Sequence, residues 1–305
     1  MPFSQSQQFV AGWGAWSLND FRLSVVSGNA VPTTDQTAKG TLYLTPIFNN
    51  GTITTAKGSI ALCDSNGNLQ VLNSAEVSLA LSGLSTTIPT DVFAYNNSGT
   101  LTLELLQWAS GTARATAIGF SSVGILAKSG DSTRRYVGTI QGTSTTTTED
   151  SAACRYVWNV QHRALRTLYA ADSTASWTYT SPSFREVRAQ STFGTSRVGV
   201  VIGLSQDAVE LTGAAQVTQS GTASVQIGIG INSTSANSAL IQTWAASSSR
   251  LSPSARLITV PAVGLNFYAL LEASAASGTT TWWGSNPGPV TDSSQVEGLT
   301  GSCFA

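Results

Sequence analysis

The sequence predicts an all-β protein assembled from antiparallel β-sandwiches. Three observations lead there: apolar residues recur with period two, turn residues punctuate those runs, and charge is scarce while Ser, Thr and Gly abound. Of 305 residues, 41% are apolar, enough for real cores. Only 10% are charged, against roughly 25% in an average soluble domain. Disorder combines low hydrophobicity with high net charge, whereas this chain has eight Trp and a formal net charge of -1.

Taken in order, strands are predicted in TLYLTPI (41–47), SIALCD (59–64), EVSLALSGL (76–84), TLTLELLQW (100–108) and RVGVVIGLS (197–205). The clearest is SVQIGIGIN (224–232). There Val225, Ile227, Ile229 and Ile231 face one way, and Gln226, Gly228, Gly230 and Asn232 the other. The glycine pair reads as close sheet packing. Asn49-Asn50-Gly51, Ser65-Asn66-Gly67 and Asn96-Asn97-Ser98-Gly99 supply turns between these runs, so neighbouring strands run antiparallel. One short helix is predicted over SANSALIQTWAASS (235–248), where Leu240, Ile241 and Trp244 share a helical face. GTSTTTTED (142–150) has no large apolar residue and marks a domain boundary. The expected organisation is an arm over 1–18, a β domain over 19–145 and a second over 146–305. No internal repeat is present, which argues against a β-helix of stacked coils.

Composition narrows the function. Fifteen Lys plus Arg against sixteen Asp plus Glu leave no cationic excess for nucleic acid. No apolar run approaches the ~20 residues of a membrane span, and the first residues lack the basic start and apolar core of a secretory signal. Synthesis in a cytoplasm is therefore expected. Cys63, Cys154 and Cys303 are far apart and read as buried thiols. The single histidine, His162, lies beside Arg163 and Arg166, whose charge makes it a poor proton acceptor. No nucleophile elbow, zinc-protease motif or phosphate loop is present. Glu149 and Asp150 would be the obvious carboxylate pair for glycoside cleavage, but neighbours on a strand point to opposite faces. No catalytic residue, cofactor or metal is expected.

Six residues stand out as assembly contacts. Trp13 and Trp16 sit in a Gly-containing leader and suit an arm docking on another subunit. Trp282 and Trp283 are adjacent, so alternation sends one ring inward and leaves the other near the surface, where it packs against a neighbour. Arg134 and Arg135 in SGDSTRRYVGTI (129–140) likewise face opposite ways. One lies in the sheet surface and the other reaches Glu149, Asp150 or a neighbouring subunit's carboxylate. Trp158 and Trp177 sit in strand-like runs and are assigned to the core.

Several segments in succession resemble virion proteins of tailed bacteriophages. They are 19–47, IALCD (60–64), TDVFAYNNSGTLTLELLQW (90–108), ILAKSGDSTRRYVGTI (125–140), TTEDSAACRYVWNVQHR (147–163), FYALLEASAASGTTTWWG (267–284) and GLTGS (298–302). The most specific is Lys-Ser-Gly-Asp-x-x-Arg-Arg-Tyr-x-Gly-Thr-Ile, followed by Thr-Glu-Asp and an aromatic-rich strand. His162 and Ala164 depart from the pattern, in place of a commonly aromatic and apolar run. The resemblance implies a structural protein on the particle's exterior, of the tail-fibre or tail-appendage type, with no catalytic residues to carry over. It further implies two antiparallel β-sandwich domains, the C-terminal one jelly-roll-like, in a homo-oligomer, by analogy a trimer. Other virion proteins and host surface glycan are the implied partners. A capsid decoration protein is the alternative, and a surface-polysaccharide hydrolase the enzymatic one.

Overall fold

A computed structural model describes residues 18–241, 244–246, 249–285 and 297–305. Trp13 and Trp16 lie outside them. The first half holds fourteen strands: β1 (Phe21–Ser24), β2 (Gln36–Lys39), β3 (Thr41–Pro46), β4 (Gly58–Cys63), β5 (Leu69–Ser74), β6 (Val77–Ala80), β7 (Thr90–Asn97), β8 (Thr100–Gln107), β9 (Ile118–Phe120), β10 (Leu126–Lys128), β11 (Asp131–Ile140), β12 (Thr148–Asp150), β13 (Cys154–Arg155) and β14 (Val157–Asn159). β1-β3-β6, the β4-β5 hairpin and β8-β7-β11-β10-β9 form its sheets, with β14 beside β11. Their inner faces bury Phe21, Leu23, Leu42, Leu44, Ile60 and Val92 in one core. The strands predicted in TLYLTPI, SIALCD and TLTLELLQW are β3, β4 and β8 with ends shifted by one residue, whereas of EVSLALSGL only Val77–Ala80 forms a strand, β6.

The second half runs through β15 (Leu165–Ala170), β16 (Ser176–Thr178), β17 (Arg185–Glu186), a 3-10 turn (Val187–Ala189), β18 (Arg197–Ile202), β19 (Val209–Ala214), β20 (Gln216–Gln219) and β21 (Ala223–Ile231). It continues with β22 (Leu240–Ile241), β23 (Trp244–Ala246), β24 (Ser254–Thr259), β25 (Gly264–Ser274), β26 (Thr280–Trp283) and β27 (Gly298–Phe304). The predicted RVGVVIGLS and SVQIGIGIN are β18 and β21. One sheet is ordered β15-β27-β19-β24-β22, and the other contains β18-β25-β21-β23. With β15, β18, β19, β21, β23, β24, β25 and β27 numbered in chain order, the two sheets read first-eighth-third-sixth and second-seventh-fourth-fifth, and β22 is an added edge strand on the first. That order is a jelly roll, two Greek keys rolled into a sandwich. Leu168, Leu211, Leu257 and Leu299 from one sheet meet Val198, Ile227, Ile229 and Leu270 from the other. A smaller sheet, β16-β26-β20, adds Trp282 and Val217 to this core.

The halves share structure. β2 of the first half pairs with β12, extending the sheet that holds β18, and Phe93 and Tyr136 pack into the second core beside Trp158. Of the linker-like stretch 142–150, the last three residues form β12 and 142–147 form the tight loop before it, where Thr143 N donates to the Thr147 carbonyl at 2.8 Å. Cys63, Cys154 and Cys303 are free and buried.

Among the described residues of 235–248 the expected helix is not formed. Leu240 and Ile241 pair with Arg256 and Ala255 as an edge strand, and Trp244–Ala246 pair with β21. The apolar residues there satisfy β pairing with partners already in place, and tertiary context overrides a weak helical pattern. The preceding loop folds over β21: Asn237 Oδ1 accepts from the Ile229 N–H at 2.9 Å. It fits because Gly228 and Gly230 have no side chain. A Cβ on Gly230 would stand 2.2 Å from the Ser233 carbonyl oxygen.

Candidate functional site

On β11 the two adjacent arginines face opposite ways. Arg134 points toward solvent, where its Nε donates to Glu104 Oε2 at 2.7 Å and its guanidinium lies 3.9 Å from the Tyr95 ring centroid. Lys128 Nζ joins the same carboxylate at 3.0 Å. Partial burial pushes the Glu104 carboxyl up, but bonds and charge from Arg134 and Lys128 bring it net below its usual value. Arg135 points inward and is buried. Its Nη1 donates to the carbonyls of Leu18 at 2.8 Å and Ala61 at 2.7 Å, and its Nη2 to Gln161 Oε1 at 2.9 Å. Burial pulls this guanidinium down to about 9, still charged at neutral pH.

The reach toward Glu149 or Asp150 expected of one of the two arginines is made by neither and belongs to other residues. Asp150 lies between Arg155 and Arg166, each at 2.9 Å, and Glu149 accepts from the Ser151 hydroxyl. The reason is topological: β12 lies between β2 and β13, so Asp150 faces the arginines of β13 and β15.

These arginines belong to a wider seam between the halves. Arg22 of β1 donates to the Ala30 carbonyl at 3.0 Å, the His162 carbonyl and the Ala305 carbonyl at 2.6 Å. Burial pulls it down to about 10, with Asp150 opposing that shift. Arg166 Nη1 reaches the Pro32 carbonyl at 2.6 Å. Each links the first half to the second through backbone carbonyls, which hold a guanidinium fork rigidly.

Beside the seam lies a cavity of about 500 Å³, apolar on Leu126, Val160 and Phe304 and polar on His162, Arg163 and Asp207. The His162 ring contacts the Asn19 carbonyl through Nε2, so in its neutral form that nitrogen carries the proton. Arg163 bonds Asp207 at 2.9 Å and lies 5.3 Å from the Trp158 ring centroid. The histidine and arginine here tie segments together.

Trp282 is fully buried, with Nε1 donating to the Tyr179 carbonyl at 3.0 Å. Arg135 and Trp282 are thus sealed within their own chain, and neither side chain is presented to a neighbour. Trp283 is half-buried, with the Arg250 guanidinium 4.0 Å from its ring centroid. Trp158 is core, and Trp177 packs against that core while donating to Glu272 Oε2 at 2.7 Å.

Sequence reasoning missed the buried carboxylates. Asp91 accepts from Arg114 at 2.8 Å and Thr139 at 2.7 Å, and burial raises it despite Arg114. Arg114 also reaches the Gly203 carbonyl at 2.6 Å, another link across the seam. Farther away, Glu297 Oε2 accepts from the Asp172 N–H at 2.9 Å, and Arg188 Nε meets Asp172 at 3.0 Å. Glu272 takes bonds from Arg185 at 2.8 Å and the Arg188 N–H at 3.1 Å. Burial pushes Glu297 up to about 8, and the charges of Asp172 and Glu272 add to it. In an open cleft a raised carboxyl of this kind would suit acid-base work. Glu297 and Glu272 are 1% and 0% exposed, so the arrangement is structural. In a chain with so little charge, Glu272 in the apolar run of YALLEAS was the available signal.

No known protein family matches this sequence, and no curated protein matches it. Some solved structures show slight similarity. The insecticidal delta-endotoxin Cry8Ea1 from Bacillus thuringiensis aligns over 98% of this chain and 55% of its own, at 7% identity and a TM-score of 0.27. A glycoside hydrolase family 43 arabinoxylan arabinofuranohydrolase from Bacillus subtilis aligns over 90% and 55%, at 9% identity and a TM-score of 0.23. Infectious bursal disease virus, Gx strain, aligns over 95% and 84%, at 11% identity and a TM-score of 0.21. The chain spans about half the length of the first two.

Proposed function

We propose that this chain is a structural protein of the exterior of a tailed-phage particle, of the tail-appendage type. It self-associates, joins other virion proteins and contacts host surface glycan, without catalysing a reaction. The observation that carries the reading is the use of charge. Arg22, Arg135, Arg155 and Arg166 are buried in holding the two halves together, while the outward face of the β15-β27-β19-β24-β22 sheet is mostly apolar and hydroxyl. Such a construction supports a rigid module with a near-neutral face suited to repeated packing. The succession of phage-like segments supplies the setting.

Gold-labelled antibody against this chain, imaged on intact particles, tests the reading. Label on the tail supports it, and label with a copy number following the capsid sites points to a decoration protein instead. Incubation with host surface polysaccharide should give binding without new reducing ends. Their appearance would make the protein a hydrolase.

A further inference from the structure

We infer that the cavity beside the seam, walled by Arg163, Gln206, Asp207 and Phe304, binds one uncharged pyranose unit of a glycan. The inference rests on the proposal that the chain contacts host surface glycan, and it names the site and the class of sugar. The cavity's volume of about 500 Å³ lies within the roughly 300–1,000 Å³ of ligand-binding clefts. Separate segments build it: β10 gives Leu126, the turn after β14 gives Val160, His162 and Arg163, the β18–β19 loop gives Gln206 and Asp207, and β27 gives Phe304. The turn holds His162 at φ 53°, in the left-handed region that favours glycine, and backbone strain of this kind gathers at ligand sites.

The wall has two chemistries. Leu126, Val160 and Phe304 are its apolar part, and Phe304 is 42% exposed. On the polar part, Arg163 Nη1 donates to Gln206 Oε1 at 2.8 Å and pairs with Asp207 Oδ2 at 2.9 Å, which fixes the three side chains against one another. Among the described residues, no hydrogen bond is made by Arg163 Nε or Nη2, Gln206 Nε2, Asp207 Oδ1 or His162 Nδ1. With Nε2 protonated against the Asn19 carbonyl, His162 Nδ1 is an acceptor. Donors and acceptors are thus left over together on a frame already held in place, which lowers the ordering cost of binding. A sugar ring matches this division. Each of its hydroxyls both donates and accepts, so neighbouring hydroxyls satisfy such a mixed set. Its C–H groups carry slight positive charge and suit the negative face of the Phe304 ring. Charge selects a neutral sugar: Arg163 is already matched by Asp207, and a ligand carboxylate would meet Asp207 as a like charge. A wholly apolar ligand would strand Gln206 and Asp207 away from water without partners.

The test is saturation-transfer NMR and titration calorimetry on the full chain with the methyl glycosides of glucose, galactose, mannose, rhamnose and N-acetylglucosamine, and with methyl glucuronide. At least one neutral glycoside should bind with a Kd on the order of 1 mM, the scale for a single sugar ring. Phe304→Ala should weaken that binding about fivefold by removing the ring. Gln206→Ala should weaken it about threefold by removing a hydrogen bond. Both side chains are exposed, so the melting temperatures should stay at the parent's. Phe48→Ala, an exposed aromatic outside the cavity wall, should leave binding unchanged. Saturation by none of the neutral glycosides, tighter binding of methyl glucuronide than of every neutral one, or parent-like binding by both Phe304→Ala and Gln206→Ala overturns the inference. Host surface polysaccharide separates it from the proposed function. If the Phe304→Ala, Gln206→Ala double variant still binds that polysaccharide like the parent, the site falls and the proposed function stands. If a neutral glycoside binds in the cavity of a chain that antibody labelling does not find on the particle, the reverse holds.

Discussion

Arg134 and Arg135 are consecutive on one strand and meet different media, so equal truncations should have unequal costs. The half-exposed Arg134 pairs with Glu104 in a screened setting, where such a bridge contributes ~0–1 kcal/mol. Removing Arg135 leaves the Leu18 and Ala61 carbonyls and Gln161 Oε1 without this donor, and bonds to a charged donor are worth about 1.5–3 kcal/mol each. We expect Arg135→Ala to cost about 3 kcal/mol or more and Arg134→Ala less than about 1, read from urea midpoints. Comparable losses would show that Arg135 does not hold the seam. Asp150→Asn should also be costly, about 3–5 kcal/mol, because it removes the charge between Arg155 and Arg166. The doubled arginine was conspicuous in the sequence and its alternation could be read there. Its partners could not, because the Leu18 carbonyl lies 117 residues away and backbone oxygens leave no mark in a sequence.

At the level of elements, β21 shows what period two conveys and what it omits. Val225, Ile227 and Ile229 are fully buried, as the alternation in SVQIGIGIN demands. The opposite face is also covered, by the 233–237 loop, and only the glycines hinted at that close approach. A Cβ on Gly228 would lie 2.5 Å from Asn237 Oδ1, the flexible end of a side chain, whereas Gly230 faces backbone. Gly230→Ala should therefore destabilise by about 1–3 kcal/mol and Gly228→Ala by less, since overpacking against fixed atoms forces the backbone to shift. At Gly119 on β9 an added Cβ would meet nothing within 4 Å, and its φ is not positive, so Gly119→Ala is the neutral control. Thermal melts of the three variants check the order, and a Gly230→Ala melt matching that of Gly119→Ala would refute the packing argument. Individual strands were legible because alternation is local. Sheet order was not, since β15 pairs with β27 across the whole second half, and the short edge strands β22 and β23 carry too few residues to outweigh a chance helical pattern.

For the whole molecule, the buried carboxyls set how stability varies with pH. Glu297 is pushed up to about 8, first by burial and then by Asp172 and Glu272, and burial also raises Asp91 and Glu272. An acid whose folded value lies above its unfolded one holds its proton more tightly when folded. Its stabilising share is complete below the ordinary carboxyl value and disappears as pH rises through the folded value. Glu104 and Asp131 act oppositely: both are lowered in the fold, so their share is present at neutral pH and declines in acid. Together these groups put the stability maximum on the acid side of neutrality, with a fall from about pH 5 to about pH 8. Glu297→Gln keeps the shape and abolishes the charge. It should match the parent at pH 5 and exceed it at pH 8.5 by on the order of a few kcal/mol, each unit of displacement being worth about 1.4 kcal/mol. Calorimetry across that range decides it. Parallel melting curves for parent and variant would mean that the carboxyl is solvated and that the end of the jelly roll around Asp172 and Arg188 is open.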